Sequence, residues 1–302
     1  MGKKAANSIV RAIAQSCRLP FLVLSPVCVL LGAGTAAANQ VELNIPVLAL
    51  ALAGALLAHI SVNTLNEYHD FNSGLDFNTS RTPFSGGSGA LPANPELART
   101  VLAVGIASLL SVFLIGIFFV LQYGWGLAPA GIAGFLLIVT YTVWLNKQPL
   151  LCLIAPGIAF GFLMVTGTQF VLEGHYSMLA GIAACVPFLL INNLLLLNQF
   201  PDIEADTIAG RFHFPIAYGT RKSAALYGLG AIVATMIIVV AVVTGLLPVI
   251  SLAALLPMPL ALHAYSGAVK HGRAIGKFPR YLASNVAVAI FTPLLLAISL
   301  LV

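Results

Sequence analysis

Residues 45–76 read IPVLALALAGALLAHISVNTLNEYHDFNSGLD. The part from 45 to 66 is almost entirely apolar, and about 20 such residues are enough for a helix to cross roughly 30 Å of hydrocarbon. The apolar run ends in a polar cluster in which Asn66 is followed by Asp70 and then by Asp76. This stretch predicts a membrane-spanning helix that carries an acidic site at one membrane face.

A second stretch repeats the pattern at the end of another apolar run: Asn198, Asp202 and Asp206 are spaced four residues apart and are followed by Gly210-Arg211. Only nine of the 302 residues are acidic, and six of them lie in the two stretches: Glu67, Asp70, Asp76, Asp202, Glu204 and Asp206. Because carboxylates are costly near a bilayer, two such clusters indicate a functional site. Oxygen ligands of this kind suit Mg²⁺, and the predicted ligands are Asn66, Asp70, Asp76, Asn198, Asp202 and Asp206.

Composition places the whole chain in the membrane. Hydrophobic residues make up 60% and charged residues 8%, whereas soluble domains average about 25% charged. We therefore predict an all-α, polytopic membrane protein, a single domain over 1–302 with nine transmembrane helices in a bundle and cap loops at about 67–97 and 199–222. The nine apolar runs are 19–38, 45–66, 98–121, 127–146, 150–172, 178–198, 223–246, 248–269 and 281–301.

The basic residues predict the orientation of this bundle. With nine spans, all 14 Lys and Arg fall on one side of the membrane, and the positive-inside rule makes that side cytoplasmic. We expect a plasma-membrane protein in contact with lipid, with its N-terminus inside and its C-terminus outside. Both acidic stretches then face the cytoplasm. The net charge of +5 reflects this topology, and nucleic-acid binding is not expected.

The helix before the first acidic cluster carries a polar stripe, because His59, Asn63, Asn66 and Asp70 are spaced four, three and four residues apart. Such a stripe lines a cavity or forms a hydrogen-bonded seam between helices. Basic residues near the acidic motifs are candidates for binding a diphosphate, with ordinary flanking charge as the alternative: Arg81, Lys147 and Arg211. In the second acidic stretch, Pro201 predicts a kink or break of the helix between Asn198 and Asp202.

The two motifs resemble those of the UbiA superfamily of intramembrane prenyltransferases, and most closely its 1,4-dihydroxy-2-naphthoate branch. The resemblance runs over most of the chain and rests on Asn66-Glu67-x-x-Asp70-x-x-x-Gly74-x-Asp76, Arg18-x-Pro20-Phe21, Tyr141-Thr142, Gly167-Thr168 and Asp202-x-x-x-Asp206-x-x-x-Gly210-Arg211. It implies a helical bundle with a lateral opening, Mg²⁺ held by both motifs, a polyprenyl diphosphate donor and an aromatic acceptor. His59, Asn63 and Tyr141 are then the candidates for the acceptor pocket.

One departure concerns the acceptor. The naphthoate branch usually has a Gly followed by an acid near the start of span five, whereas residues 149–156 here read PLLCLIAP. The alternatives to prenyl transfer are a terpene cyclase on the same fold and a membrane transporter, although transporters place their charged sites near the bilayer midplane. A phosphatidyl-alcohol phosphotransferase is disfavoured because its Asp-Gly-x-x-Ala-Arg signature is absent from the sequence.

Overall fold

The computed structural model describes the chain from residue 2 to residue 302, with side chains from Ile9 onward. Within these residues the secondary structure is helical. The α-helices are α1 (Gly2–Ser16), α2 (Leu24–Ala38), α3 (Ile45–Asn72), α4 (Leu75–Asn78), α5 (Ala90–Ala93), α6 (Ala98–Tyr123), α7 (Ala128–Tyr141), α8 (Pro149–Gly157), α9 (Gly167–Glu173), α10 (Met178–Asn198), α11 (Ile203–Ile208), α12 (Phe214–Val243), α13 (Met258–His271) and α14 (Pro279–Leu301).

The predicted all-α membrane architecture is confirmed. In the described chain, eight helical segments are long and apolar enough to cross a membrane, and a shorter apolar helix, Trp125–Tyr141, lies between the third and fourth of them. These nine segments follow the order of the predicted spans. The span formed by α8 and α9 is continuous, because a π-helical stretch, Ile158–Thr166, joins them just after Pro156. Such widened turns are frequent at functional sites.

The core of the bundle lies around α2, α10 and α14, each of which carries more buried residues than any helix of the described chain outside this group. Glycines allow the backbones to approach closely there, as is common between membrane helices. A Cβ on Gly34 would lie 2.9 Å from the Ala297 carbonyl oxygen, and one on Gly161 would lie 2.6 Å from the Phe188 nitrogen. Tight packing of these helices fixes the scaffold on which the polar residues are placed.

Helix α3 continues past the apolar run 45–66. The Asn44 side chain caps its first turn by accepting from Val47 N at 3.2 Å, and the helix continues to Asn72, so that Asp70 lies on helix, as its place in the polar stripe predicted. It stops where Gly74 adopts φ 79°, a conformation that glycine adopts without steric cost. Part of the predicted loop 67–97 is therefore helical, as α4 and α5 also show.

The second acidic stretch is broken as Pro201 predicted. Helix α10 ends at Asn198, a turn follows, and α11 begins at Ile203. We refer to the end of the bundle that carries Asp70 and Asp202 as the acidic end.

Candidate active site

A cavity of about 450 Å³ opens inside the bundle at the acidic end, and ten of the twelve sequence-predicted site residues line it. Those ten are His59, Asn63, Asn66, Asp70, Asp76, Tyr141, Asn198, Asp202, Asp206 and Arg211. Its remaining lining is mostly apolar and includes Phe21, Phe135 and Phe160. The cavity thus has one acidic end and a long apolar interior.

Arg211 joins the two acidic motifs. Its guanidinium donates to Oδ1 of Asp70, at the end of α3, and to Oδ1 of Asp206, on α11, at 3.0 Å. Burial disfavours the charged guanidinium, but the two carboxylates outweigh burial and hold the pKa of Arg211 above its usual range. His213 completes the contacts of Asp206, with Nε2 at 2.9 Å from Oδ2. Asp70 and Asp206 therefore both contact the Arg211 cation.

Asp76 is buried and Asp202 is half-buried, and no described cation forms an ion pair with either carboxylate. Among the described residues, neither Asp76 Oδ2 nor Asp202 Oδ1 has a hydrogen-bond partner, and the same holds for Asn198 Oδ1. Burial, and then the charges of Glu67 and Asp70, raise the pKa of Asp76 to about 7. Burial and the charge of Asp206 likewise raise the pKa of Asp202 to about 7. These oxygens favour a cationic ligand, because an uncompensated buried carboxylate is unfavourable.

A loop that we call the glycine strap, residues 82–89, connects the two motifs. Gly86 N donates to Oδ2 of Asp202 at 3.0 Å, and Ser88 N donates to Oε2 of the fully buried Glu67 at 3.3 Å. Gly87 has φ 73°, and a Cβ on it would lie 2.5 Å from Oδ1 of Asp76. Glycine at position 87 therefore allows the strap to approach the Asp76 carboxylate closely.

The side-chain oxygens at the acidic end suit a Mg²⁺ ion that takes only a few ligands from the protein. In the part of the chain that the structure describes, no group of three or more His, Cys, Asp or Glu side chains could hold a metal ion, so the four predicted aspartate ligands do not form one such group. Mg²⁺ usually takes only one or two protein carboxylates and completes its shell with water and substrate phosphate. The free oxygens of Asp76, Asp202 and Asn198 match that requirement.

The deeper polar residues of α3 line the cavity and also contact neighbouring helices. His59 Nδ1 is 3.0 Å from the Ser25 hydroxyl, and its ring meets the edge of Phe160 at 4.8 Å between centroids. Asn63 donates to the Cys17 carbonyl at 3.0 Å. The two expectations for this stripe, cavity and interhelical seam, therefore both hold. About 10 Å of helix separates His59 from Asn66.

The structure does not bring Arg81 and Lys147 to the cavity wall. Lys147 is exposed. Arg81 is also exposed, and it donates to the Asp76 carbonyl at 3.0 Å, so it supports the turn that carries Asp76.

Residues that the sequence did not assign to the site also line the cavity. Arg18 adopts φ 52°, and its buried Nε has no partner among the described residues. His213 and Asn146 lie in the wall as well, and each has a buried ring or amide atom without a described partner. Arg18 was visible in the sequence as part of the Arg18-x-Pro20-Phe21 pattern, but neither spacing nor charge pointed to His213 or Asn146.

Comparison with known proteins gives the same fold and a family. Residues 25–297 match the family model described as the UbiA prenyltransferase family. The chain is 27% identical over 271 residues to a 1,4-dihydroxy-2-naphthoate octaprenyltransferase of Bacillus subtilis (strain 168), an alignment that covers 88% of this chain and 84% of the relative.

Solved structures with this arrangement of helices include two archaeal proteins. A UbiA homolog from Aeropyrum pernix K1 superimposes with a TM-score of 0.69 at 17% identity, covering 90% of this chain and 95% of that one. A UbiA homolog from Archaeoglobus fulgidus bound to DMAPP and Mg²⁺ gives a TM-score of 0.61 at 14% identity, with 92% and 98% covered. At these identities the likeness shows the fold.

Proposed function

The chain belongs to the UbiA prenyltransferase family, and we propose that it transfers a polyprenyl group from a polyprenyl diphosphate to an aromatic acceptor in a Mg²⁺-dependent reaction that releases diphosphate. As a multi-pass membrane protein, it can take a lipid-soluble donor directly from the bilayer. The name of the Bacillus subtilis relative supports an acceptor of the 1,4-dihydroxy-2-naphthoate type.

One observation carries this proposal: two acidic motifs 132 residues apart, at Asp70 and Asp202, meet at the same end of a cavity whose remaining wall is apolar. A diphosphate joined to a hydrocarbon chain has the same division into a charged head and an apolar tail. The acidic end would hold the head and the interior would hold the tail. A soluble polar substrate would leave the apolar wall without a partner.

Asp76, Asp202 and Asn198 are the residues that would hold Mg²⁺, because their buried oxygens lack partners in the described chain. When bound, the metal supplies positive charge to the diphosphate and makes it a better leaving group. The Arg211 guanidinium, fixed between Asp70 and Asp206, adds a cation at the same end of the cavity. Glu67 positions the glycine strap beside the site through Ser88.

The apolar interior determines what happens to the prenyl group. When the carbon–oxygen bond of the donor breaks, the positive charge stays on the allylic carbon. Phe21, Phe135 and Phe160 line the same cavity, and aromatic faces stabilise a nearby cation. Exclusion of water by this wall protects the cation until an electron-rich ring attacks it. The diphosphate leaves with the electron pair of the broken bond, and the ring regains its aromaticity by giving its proton to the released diphosphate or to water at the mouth of the cavity.

The acceptor would occupy the part of the cavity lined by His59, Asn63 and Tyr141. His59 and Asn63 lie deeper along α3 than Asn66, whereas Tyr141 precedes Thr142, which donates to the Asn66 side chain. An acceptor between these residues would present its ring to the interior side of the diphosphate. The start of α8 contributes Cys152, Ala155 and Pro156 to the wall, and no acid. An acceptor that relies on an acidic group from this helix is therefore not favoured, and recognition falls to the polar stripe of α3.

The orientation of the protein is part of the proposal. The concentration of Lys and Arg in the segments at the acidic end supports a cytoplasmic position for that end under the positive-inside rule. Water-soluble aromatic precursors and Mg²⁺ are then available at the mouth of the cavity, in the plasma membrane. The N-terminus would be inside and the C-terminus outside.

Product analysis tests the function directly. Purified protein is incubated with Mg²⁺, geranyl or octaprenyl diphosphate, and a panel of acceptors that includes 1,4-dihydroxy-2-naphthoate and 4-hydroxybenzoate. Mass spectrometry is expected to show a prenylated aromatic product and released diphosphate. A cyclised hydrocarbon from the donor alone would instead identify a terpene cyclase, and an unchanged donor with every acceptor would contradict prenyl transfer.

A further inference from the structure

Among the glycines that line the apolar interior of the cavity, four lie on α3, α6 and α7 far from the acidic end: Gly54, Gly116, Gly131 and Gly134. Gly54 lies on α3, Gly116 on α6, and the other two one turn apart on α7. Gly54 precedes Asn66 by 12 residues, which corresponds to about 18 Å along the helix. We call this region, with Phe119 and Phe135, the deep chamber.

These glycines differ from the packing glycines of the bundle. A Cβ on Gly105 would lie 2.8 Å from the Thr64 hydroxyl, so a close approach of α6 to α3 requires that glycine. A Cβ on Gly116 or Gly131 would have no described atom within 4 Å. Glycine inside a helix costs about 1 kcal/mol relative to alanine, and helix packing does not account for it at these two positions.

The space beside these glycines belongs to a cavity that is built for a ligand. At the acidic end of the same cavity, Asp76 Oδ2, Asn146 Oδ1 and His213 Nδ1 are buried without partners among the described residues. These residues are 3%, 7% and 1% exposed, so water does not readily satisfy them. A ligand whose head satisfies these atoms has its tail directed into the apolar interior, since the cavity continues to Gly116 and Phe119.

We propose that the deep chamber binds the distal isoprene units of the donor, and that Gly116 and Gly131 set the length of prenyl chain the protein accepts. This inference rests on the proposed function for the nature of the donor. The glycines keep open the volume that the far end of a long chain would fill, while a short chain would end before it. Every residue of α7 is described and none of them is fully buried, so a long chain can continue past Gly131, which is exposed, towards lipid.

The test fills the chamber and compares two donors in one reaction. Gly116→Leu and Gly131→Leu are incubated with Mg²⁺, 1,4-dihydroxy-2-naphthoate and equal amounts of geranyl and octaprenyl diphosphate, and the two products are quantified by mass spectrometry. Since overpacking typically costs 1–3 kcal/mol, we expect the ratio of octaprenyl to geranyl product to fall by about tenfold or more. Gly116→Ala should give a smaller fall in the same direction.

Gly181→Leu is the matched control. A Cβ on Gly181 would also have no described atom within 4 Å, and this glycine lies on a helix, α10, but outside the cavity wall. The product ratio of this variant should stay within about twofold of the unsubstituted protein. An unchanged ratio in both cavity leucine variants, or an equal loss of both products, would overturn the assignment of the chamber.

Donor binding separates this inference from the proposed function. The affinities of the two diphosphates are measured by titration with Mg²⁺ and without acceptor. If no product forms from any donor but Gly116→Leu still lowers the affinity for octaprenyl diphosphate more than that for geranyl diphosphate, the proposed reaction is wrong and the chamber assignment stands. If transfer occurs and the affinity ratio does not change, the chamber assignment is wrong and the reaction stands.

Discussion

Arg211 donates to the carboxylate of Asp70, 141 residues earlier in the chain, and the same guanidinium donates to Asp206 at 3.0 Å. The Arg211 side chain is 19% exposed and each aspartate side chain is 5% exposed. This contact holds the end of α3 against the loop after α11. One arginine thereby fixes the relative position of the two acidic motifs. It forms no ion pair with Asp76 or Asp202, and no other described cation does so.

Removal of this arginine should affect both stability and donor binding. Arg211→Gln removes the cation that pairs with Asp70 and leaves Asp206 with His213, and breaking a buried pair costs about 3–5 kcal/mol. We expect a lower Tm in detergent and a weaker affinity for a prenyl diphosphate, with a smaller loss for a prenyl monophosphate. The control is Arg221→Gln, since Arg221 is an exposed residue of α12. Unchanged diphosphate affinity in Arg211→Gln would show that the guanidinium serves only the fold.

The glycine strap gives a second prediction. Gly87→Ala adds a Cβ 2.5 Å from Oδ1 of Asp76 in a left-handed conformation. Gly174→Ala carries the same conformational cost at φ 88°, but with no described atom near the added Cβ. We expect a lower Tm for both variants, with the larger fall for Gly87→Ala because of the added contact, and a loss of turnover, measured as product formed, only for Gly87→Ala. Equal turnover in both would mean that the strap does not position Asp76.

The sequence was sufficient for the fold because apolar run length and basic-residue placement are read without tertiary information. It also identified the four aspartates of the cavity wall, because Asp70 follows Asn66 at helical spacing at the end of one apolar run and the second motif repeats that spacing at the end of another. It could not distinguish Arg211, which lies between two carboxylates, from Lys147, which is exposed. Both are basic residues that follow a span, and only the path of the chain decides which one turns towards the site.

The roles of Glu67 and His213 were hidden for a related reason. Each contacts a partner that only the folded chain brings close: Ser88 for Glu67 and Asp206 for His213. The sequence spacing of Glu67 does not indicate that its carboxylate binds the glycine strap. The polar stripe on α3 already extended that helix to Asp70, and the structure continues it to Asn72.

The depth of the polar stripe predicts a separation of roles. His59→Ala or Asn63→Ala should change acceptor use, read as the KM for the acceptor and the single-turnover rate, more than the affinity for the donor diphosphate. The reason is that both residues lie beyond Asn66 along α3 and line the cavity. Ser111→Ala, on an exposed hydroxyl of α6, is the control. If His59→Ala weakens donor binding as strongly as Arg211→Gln does and leaves acceptor kinetics unchanged, His59 belongs to the diphosphate site.

The proposed topology can be tested on intact cells. In a background without the four native cysteines, single cysteines near Glu42, Glu173 or residues 122–126 should react with an impermeant thiol reagent. Cysteines near Asn78, Arg211 or Lys270 should react only after the membrane is opened. The opposite labelling pattern would place the acidic end outside the cell and would contradict the positive-inside assignment.

The central claim, that the two acidic motifs form one Mg²⁺-dependent diphosphate site, is tested most directly by a double-mutant cycle. The affinity of purified protein for geranyl diphosphate is titrated with Mg²⁺ and with excess chelator for the unsubstituted protein, Asp76→Asn, Asp202→Asn and the double variant. We expect weak binding in chelator, a loss in each single variant with Mg²⁺, and a coupling energy above about 0.5 kcal/mol because the residues share one ligand. Additive losses, or equal binding with and without Mg²⁺, would contradict the claim.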